Sequence, residues 1–175
     1  MKSDALKNIS LLGRIAYGIL CAEKLATEKY PQRDWSLVFK IFWKFGNCEA
    51  LDRWSWEIME YIPKYLFEFE SFEASNFEYI DKETYTNLKK LYKNVDDSLN
   101  KILLAIRNIE EEYAYSSIPG YGTASLEYID EILAILKNNK IQPPDPQLVA
   151  FSNFSEEDGW GKAFDGTKLS MVLKG

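Results

Sequence analysis

Along the first 140 residues apolar positions recur at steps of three and four, the spacing that sets one buried face on a helix. Residues 4–28 read as one buried helix, capped by Ser3 or Asp4 and stopped before Pro31. Trp35, Val38, Phe39, Phe42 and Trp43 form the next stripe, which Gly46 and Asn47 punctuate as a helix end does. Leu51, Trp54, Ile58 and Ile62 follow, ended by Pro63. Further stripes run through Tyr85, Leu88, Tyr92 and Val95, then Leu99, Ile102, Leu103, Ile106, Ile109 and Tyr113, then Leu126, Ile129, Leu133 and Leu136. Each is about one helix face wide. Residues 116–122, SSIPGYG, are a breaker-rich connection, with Thr123 or Ser125 placed to cap the last helix.

After Lys140 the pattern changes. Pro143, Pro144 and Pro146 prevent a helix, and the rest reads as irregular chain with at most a short strand or turn. Phe151, Phe154, Trp160, Phe164 and Leu169 nevertheless place this tail against the helices, with Trp160 between its two glycines expected to be largely buried and structural. The expected fold class is all-α: a single helical domain over 1–175, with a compact bundle of about six to eight helices in 1–140 and a Pro-rich irregular tail in 141–175 packed on it. No self-similar period of 30 to 45 residues is visible, which disfavours a solenoid. A chain of 175 residues, 46% hydrophobic and 15% aromatic, is long enough for one sizeable core and too short to need two.

The most informative count is a zero. Histidine is absent, and with it the side chain that titrates near neutrality and the commonest transition-metal ligand. Triads, catalytic zinc and carboxylate-histidine di-iron sites fall together. Cys21 and Cys48 fit neither a redox CxxC pair nor a metal-ligand spacing and read as buried free thiols. No catalytic residue, metal or cofactor is therefore expected. A superficial signal-peptide pattern at the N-terminus fails in detail: Arg14 interrupts the apolar run, Asp4 lies in what should be a basic region, and Leu20 occupies a small-residue position. That run is also too short and interrupted for a membrane span. Without a disulfide framework, the cytoplasm is the expected location.

The net charge of -6 is unevenly spread. Residues 1–64 carry +2, residues 65–115 carry -5, and residues 116–175 carry -3. Within the middle third, Glu68, Glu70, Glu73, Glu78, Asp81 and Glu83 face only Lys82, so residues 68–83 alone carry -5. Tyr65, Phe67, Phe69, Phe72, Phe77 and Tyr79 are interleaved with these acids. Two readings stay open. The aromatics can fold into the core of a helix-helix connection while the acids point to water, or the stretch can dock a partner through aromatic anchors ringed by steering charge. On the second reading the contact residues are Glu68, Glu70, Phe72, Glu73, Glu78, Tyr79, Asp81 and Glu83. A secondary candidate is Glu110, Glu111 and Glu112 with Tyr113 and Tyr115, because acids at a helix C-terminus oppose the macrodipole. Glu156, Glu157 and Asp158 form another acidic turn, read as a surface loop.

No phosphate-binding motif and no basic stripe is present, so direct binding of nucleic acid is not expected. An acidic surface can, however, stand in for phosphate in the basic cleft of a nuclease. The closing segment FSEEDGWG at 154–161, followed by Phe164, Asp165, Gly166, Leu169 and Ser170, resembles the all-helical immunity proteins of bacterial polymorphic-toxin and contact-dependent growth inhibition systems. The tryptophan-rich stretch around Trp35, Trp43, Trp54 and Trp56 is compatible with it. The resemblance implies a cognate secreted toxin domain, a nuclease and an RNase in the first instance, bound one-to-one inside the producing cell and blocked by occlusion. It carries no contact residues across, because these vary with the toxin. The alternatives are a helical adaptor or scaffold for a regulatory protein, or a carboxylate-dependent hydrolase.

Overall fold

The computed structural model describes residues 3–48 and 50–174, and among these the chain is all-α. The helices are α1 (Leu11–Lys29), α2 (Ser36–Phe42), α3 (Leu51–Met59), the single turn α4 (Pro63–Leu66), α5 (Lys82–Leu91), α6 (Asp97–Glu111) and α7 (Thr123–Asn138). Short 3-10 turns lie at Ser3–Leu6, Trp43–Asn47, Pro146–Val149, Glu157–Gly159 and Gly166–Lys168. The extended pairing among the described residues is one isolated antiparallel bridge, Ile9 to Asn153.

Helix α1 is the axis of the molecule. Fifteen of its 19 residues are buried, so it has no solvent face and must be enclosed on every side. Helices α6 and α7 cover one side, and Gly18 permits the approach: a Cβ there would lie 2.9 Å from Ile106. Helix α2 and the tail cover the rest. One hydrophobic cluster runs from Leu6 through the helices to Ile141 and Val149.

The first helix begins at Leu11, later than the apolar run implies. Ser3–Leu6 forms a separate 3-10 turn, and the chain is extended at Ser10, whose hydroxyl accepts from Gly13 N at 3.0 Å. Ser10 is therefore the cap, while Ser3 bonds Asp130 of α7. The tail takes up the adjoining backbone groups: Ser10 N donates to Ser152 O, Leu12 N to Trp160 O, and Phe154 N to Asn8 O. Apolar periodicity could not register this break, because Leu6, Ile9 and Leu12 are buried at three-residue steps straight across it.

Two charged side chains buried on α1 organise what surrounds it. Arg14, wholly buried, donates to the carbonyls of Leu6, Lys7, Tyr121 and Gly122 and to the Ser125 hydroxyl. It ties the N-terminal segment to the α6–α7 connection, and its burial lowers its pKa to about 10. Ser125 is thus spent on Arg14 and on Gly122 O. The residue before α7 is Gly122 in the left-handed region, so neither Thr123 nor Ser125 caps that helix. Glu23, also wholly buried, accepts from Trp43 Nε1 at 2.7 Å, from Met171 N at 2.6 Å and from the Ser170 hydroxyl. It fastens the end of the tail to the core.

The tail is integral to the packing. Tyr17 donates to Pro144 O at 3.0 Å, and Gly46 lies so close to the tail that a Cβ would fall 1.7 Å from Phe164 O. Trp160 is half-buried, less than expected, with its ring against the core and its carbonyl engaged by Leu12. Other differences are local. Pro63 opens α4, since its fixed φ and missing N–H suit a first helical position. Cys21 is buried and free as expected, whereas Cys48 is only half-buried, its Sγ 3.0 Å from Phe45 O. No helix among the described residues is long and apolar enough to cross a membrane.

Candidate functional site

Between α4 and α5 the chain makes an irregular loop over residues 67–81, and this loop carries most of the acidic-aromatic segment. A carboxylate from outside the segment fixes its shape. Glu60, at the C-terminal end of α3 and only 4% exposed, accepts three consecutive backbone N–H groups: Glu78 N at 2.7 Å, Tyr79 N at 2.8 Å and Ile80 N at 3.0 Å. Those amides have no helix or strand to satisfy them, so the buried carboxylate takes the place of a partner strand. Sequence reasoning missed Glu60. The available signal was an acid set within the apolar run Ile58, Met59, Tyr61 and Ile62.

The aromatics divide into supports and exposed rings. Phe69 and Phe77 meet edge-to-face with centroids 5.3 Å apart, Phe77 and Phe72 each lie 5.9 Å from Tyr85 of α5, and the Tyr85 hydroxyl donates to Phe69 O. Phe72, expected as a contact residue, is half-buried in this small cluster and serves the loop's own packing. Tyr79 at 40% and Phe67 at 47% are the exposed rings, and Phe67 lies beneath the Lys89 ammonium at 4.3 Å. The packing reading therefore holds for Phe69, Phe72 and Phe77, while Phe67 and Tyr79 are left exposed.

Glu68, Glu70, Glu73, Glu78, Asp81 and Glu83 are all exposed. Two of them have local duties. Asp81 caps α5 by accepting from Thr84 N at 2.8 Å, which holds its pKa below the usual range. Glu73 pairs with Lys82 at 2.5 Å and is likewise lowered by that hydrogen bond. Glu68, Glu70, Glu78 and Glu83 have no ion-pair partner among the described residues. The result is a negative surface on a backbone held from below, with Tyr79 exposed among the charges.

The secondary candidate does not hold together as a surface. Glu110 is 2% exposed and Tyr113 is 4% exposed, so both belong to the core. Burial raises the Glu110 carboxyl above the ordinary range. Glu111 receives both terminal nitrogens of Arg107, at 2.6 and 2.7 Å, and Arg107 Nε also holds Ser55 O. Glu112 and Tyr115 are exposed, Tyr115 at 86%. The acids that close α6 thus serve packing and pairing at two of three positions. Among the described residues, no three Asp, Glu or Cys side chains converge as a metal ion would require. No protein-family model, no curated protein and no solved structure matches the chain.

Proposed function

We propose that this chain is a binding protein of the immunity class, which neutralises a cognate bacterial toxin domain inside the producing cell by laying its acidic loop against a basic cleft. The observation that carries the reading is the Glu60 clamp. A loop bearing -5 over residues 68–83 would by default be mobile, since like charges repel and backbone amides would be left to water. Instead three amides are held and four aromatic rings are packed together, so the backbone that carries the carboxylates is ordered before any partner arrives. Preorganisation of the backbone reduces the ordering cost of binding, and a surface dense in carboxylates is complementary to a cleft built for phosphates. A basic nuclease, an RNase in the first instance, has such a cleft. Inhibition is by occlusion, one chain per toxin domain, with no chemistry performed by the inhibitor.

Growth rescue tests the proposal. The toxic C-terminal domain encoded by the gene adjoining this one is expressed with and without the chain. Protection and co-purification at one-to-one stoichiometry are the expected results. Absence of any toxin domain beside the gene, or toxicity undiminished by the chain, would overturn the reading.

A further inference from the structure

At the end of α5 remote from the acidic loop, the molecule carries the opposite charge. An open groove of about 1000 Å³ lies between the start of α2 with its preceding turn and the last turns of α5. Among the described residues Arg33, Lys40, Lys90 and Lys93 line it against the single acid Asp34, a local balance of +3 in a chain of net -6. None of the four cations has a carboxylate within ion-pair distance among the described residues, although Lys24, Lys29, Lys44, Lys82, Lys101, Arg107 and Lys162 do. Arg33 is preset, its guanidinium 5.0 Å from the Tyr30 ring and hydrogen-bonded to Leu91 O. Lys40, Lys90 and Lys93 are exposed.

We infer that this groove is a second docking surface, and that its occupant is a short acidic segment of a partner protein. The walls specify the chemistry. Leu37 and Leu91, both half-buried, offer an apolar floor; the exposed Asn87 and Asn94 offer amides that suit a peptide backbone; and the cations stand around them. A nucleic acid strand fits less well. No aromatic among the described residues lines the groove to stack a base, and a long polyanion would run onto the field of residues 68–83, whereas a short segment engages the cations within a Debye length of about 8 Å. A second copy of the chain fits less well too. Its own carboxylates sit on a closed loop clamped by Glu60, and a groove needs an extended segment. The inference stands apart from the toxin reading, because it concerns a different face and a different sign of charge.

A fluorescein-labelled peptide of alternating glutamate and leucine, titrated with the purified chain and followed by anisotropy, tests it. The comparison is with the triple variant K40E/K90E/K93E, whose substituted side chains are exposed, and a circular-dichroism melt checks its folding. The expected result is saturable binding that weakens about tenfold or more in the variant and also weakens with added salt. A matched lysine-leucine peptide should not bind. Equal binding to parent and variant would overturn the assignment, as would tighter binding of a single-stranded oligothymidylate. Salt-sensitive self-association in sedimentation velocity, abolished by the same variant, would put a second copy in the groove and equally overturn it.

Discussion

Buried ionisable side chains divide into those that are satisfied and those that carry a cost. Arg14 meets five acceptors and Glu23 three donors, so each replaces the water it lost. Burial raises Glu110 as it raises Glu23, but Glu110 has no set of donors like Glu23's, and the nearby Arg107 offsets the burial only in part. Its folded pKa lies above the ordinary value of 4.5, so over the interval between the two the folded state holds more protons than the unfolded one. Linkage then makes stability fall as pH rises through that interval. Glu110→Gln keeps the shape and removes the titration. Relative to the parent, the variant should gain stability as pH is raised from about 4 to about 7, and gain none below the unfolded value. Urea midpoints measured across that range check it, and a difference independent of pH would show that Glu110 is not the titrating cost. Glu23 is also raised, but it is common to both proteins and cancels in the comparison.

For the loop over residues 67–81, the clamp lies outside the element it shapes. Glu60→Gln leaves one carbonyl oxygen and turns an amide nitrogen toward donors, so at least one of the Glu78, Tyr79 and Ile80 amides loses its acceptor. Removing a charged acceptor that buried donors use typically costs about 1 to 3 kcal/mol. Here the expected effect is mainly local. Hydrogen exchange should quicken at residues 78–80, while α1, α6 and α7 keep their protection. Global loss of protection would mean that the clamp supports the core as well as the loop. The stripes of α3, α5, α6 and α7 were legible because one-sided burial writes a three-four period into the chain. The start of α1 was not, because Leu6, Ile9 and Leu12 are buried at three-residue steps straight across the break, and neither was the clamp, whose partners lie 18 to 20 positions away.

Across the whole molecule, α5 joins a negative loop to a positive groove, and the proposed toxin contact should obey the physics of the first. Glu70, Glu78 and Glu83 replaced together by glutamine leave the Asp81 cap and the Glu73–Lys82 pair untouched. With the adjoining toxin domain, this variant should associate more slowly and with a flatter salt dependence, since exposed charge steers encounter over about 8 Å. Tyr79→Ala should instead speed dissociation, because a desolvated aromatic anchor typically contributes about 2 kcal/mol or more. Phe72 is unsuited to that test, because its ring packs on Tyr85 and its loss would loosen the loop itself. Surface plasmon resonance at two salt concentrations separates the effects, and unchanged rates in both variants would move the interface off this loop.

By itself the sequence determined the all-α class, the dominance of helical stripes, the packed tail and the charge of residues 68–83, since each is a local property of spacing or composition. Only the tertiary structure decided which charges are surface and which are structure. Glu60, Glu110 and Glu70 are alike as residues, yet one clamps a loop, one lies in the core and one faces water. The same holds for Lys40, Lys90 and Lys93, which are unremarkable along the chain and form a groove when α2 meets α5. Burial and proximity arise when helices distant in sequence pack together. The free energy of an ionised side chain depends on that surrounding far more than on its neighbours along the chain.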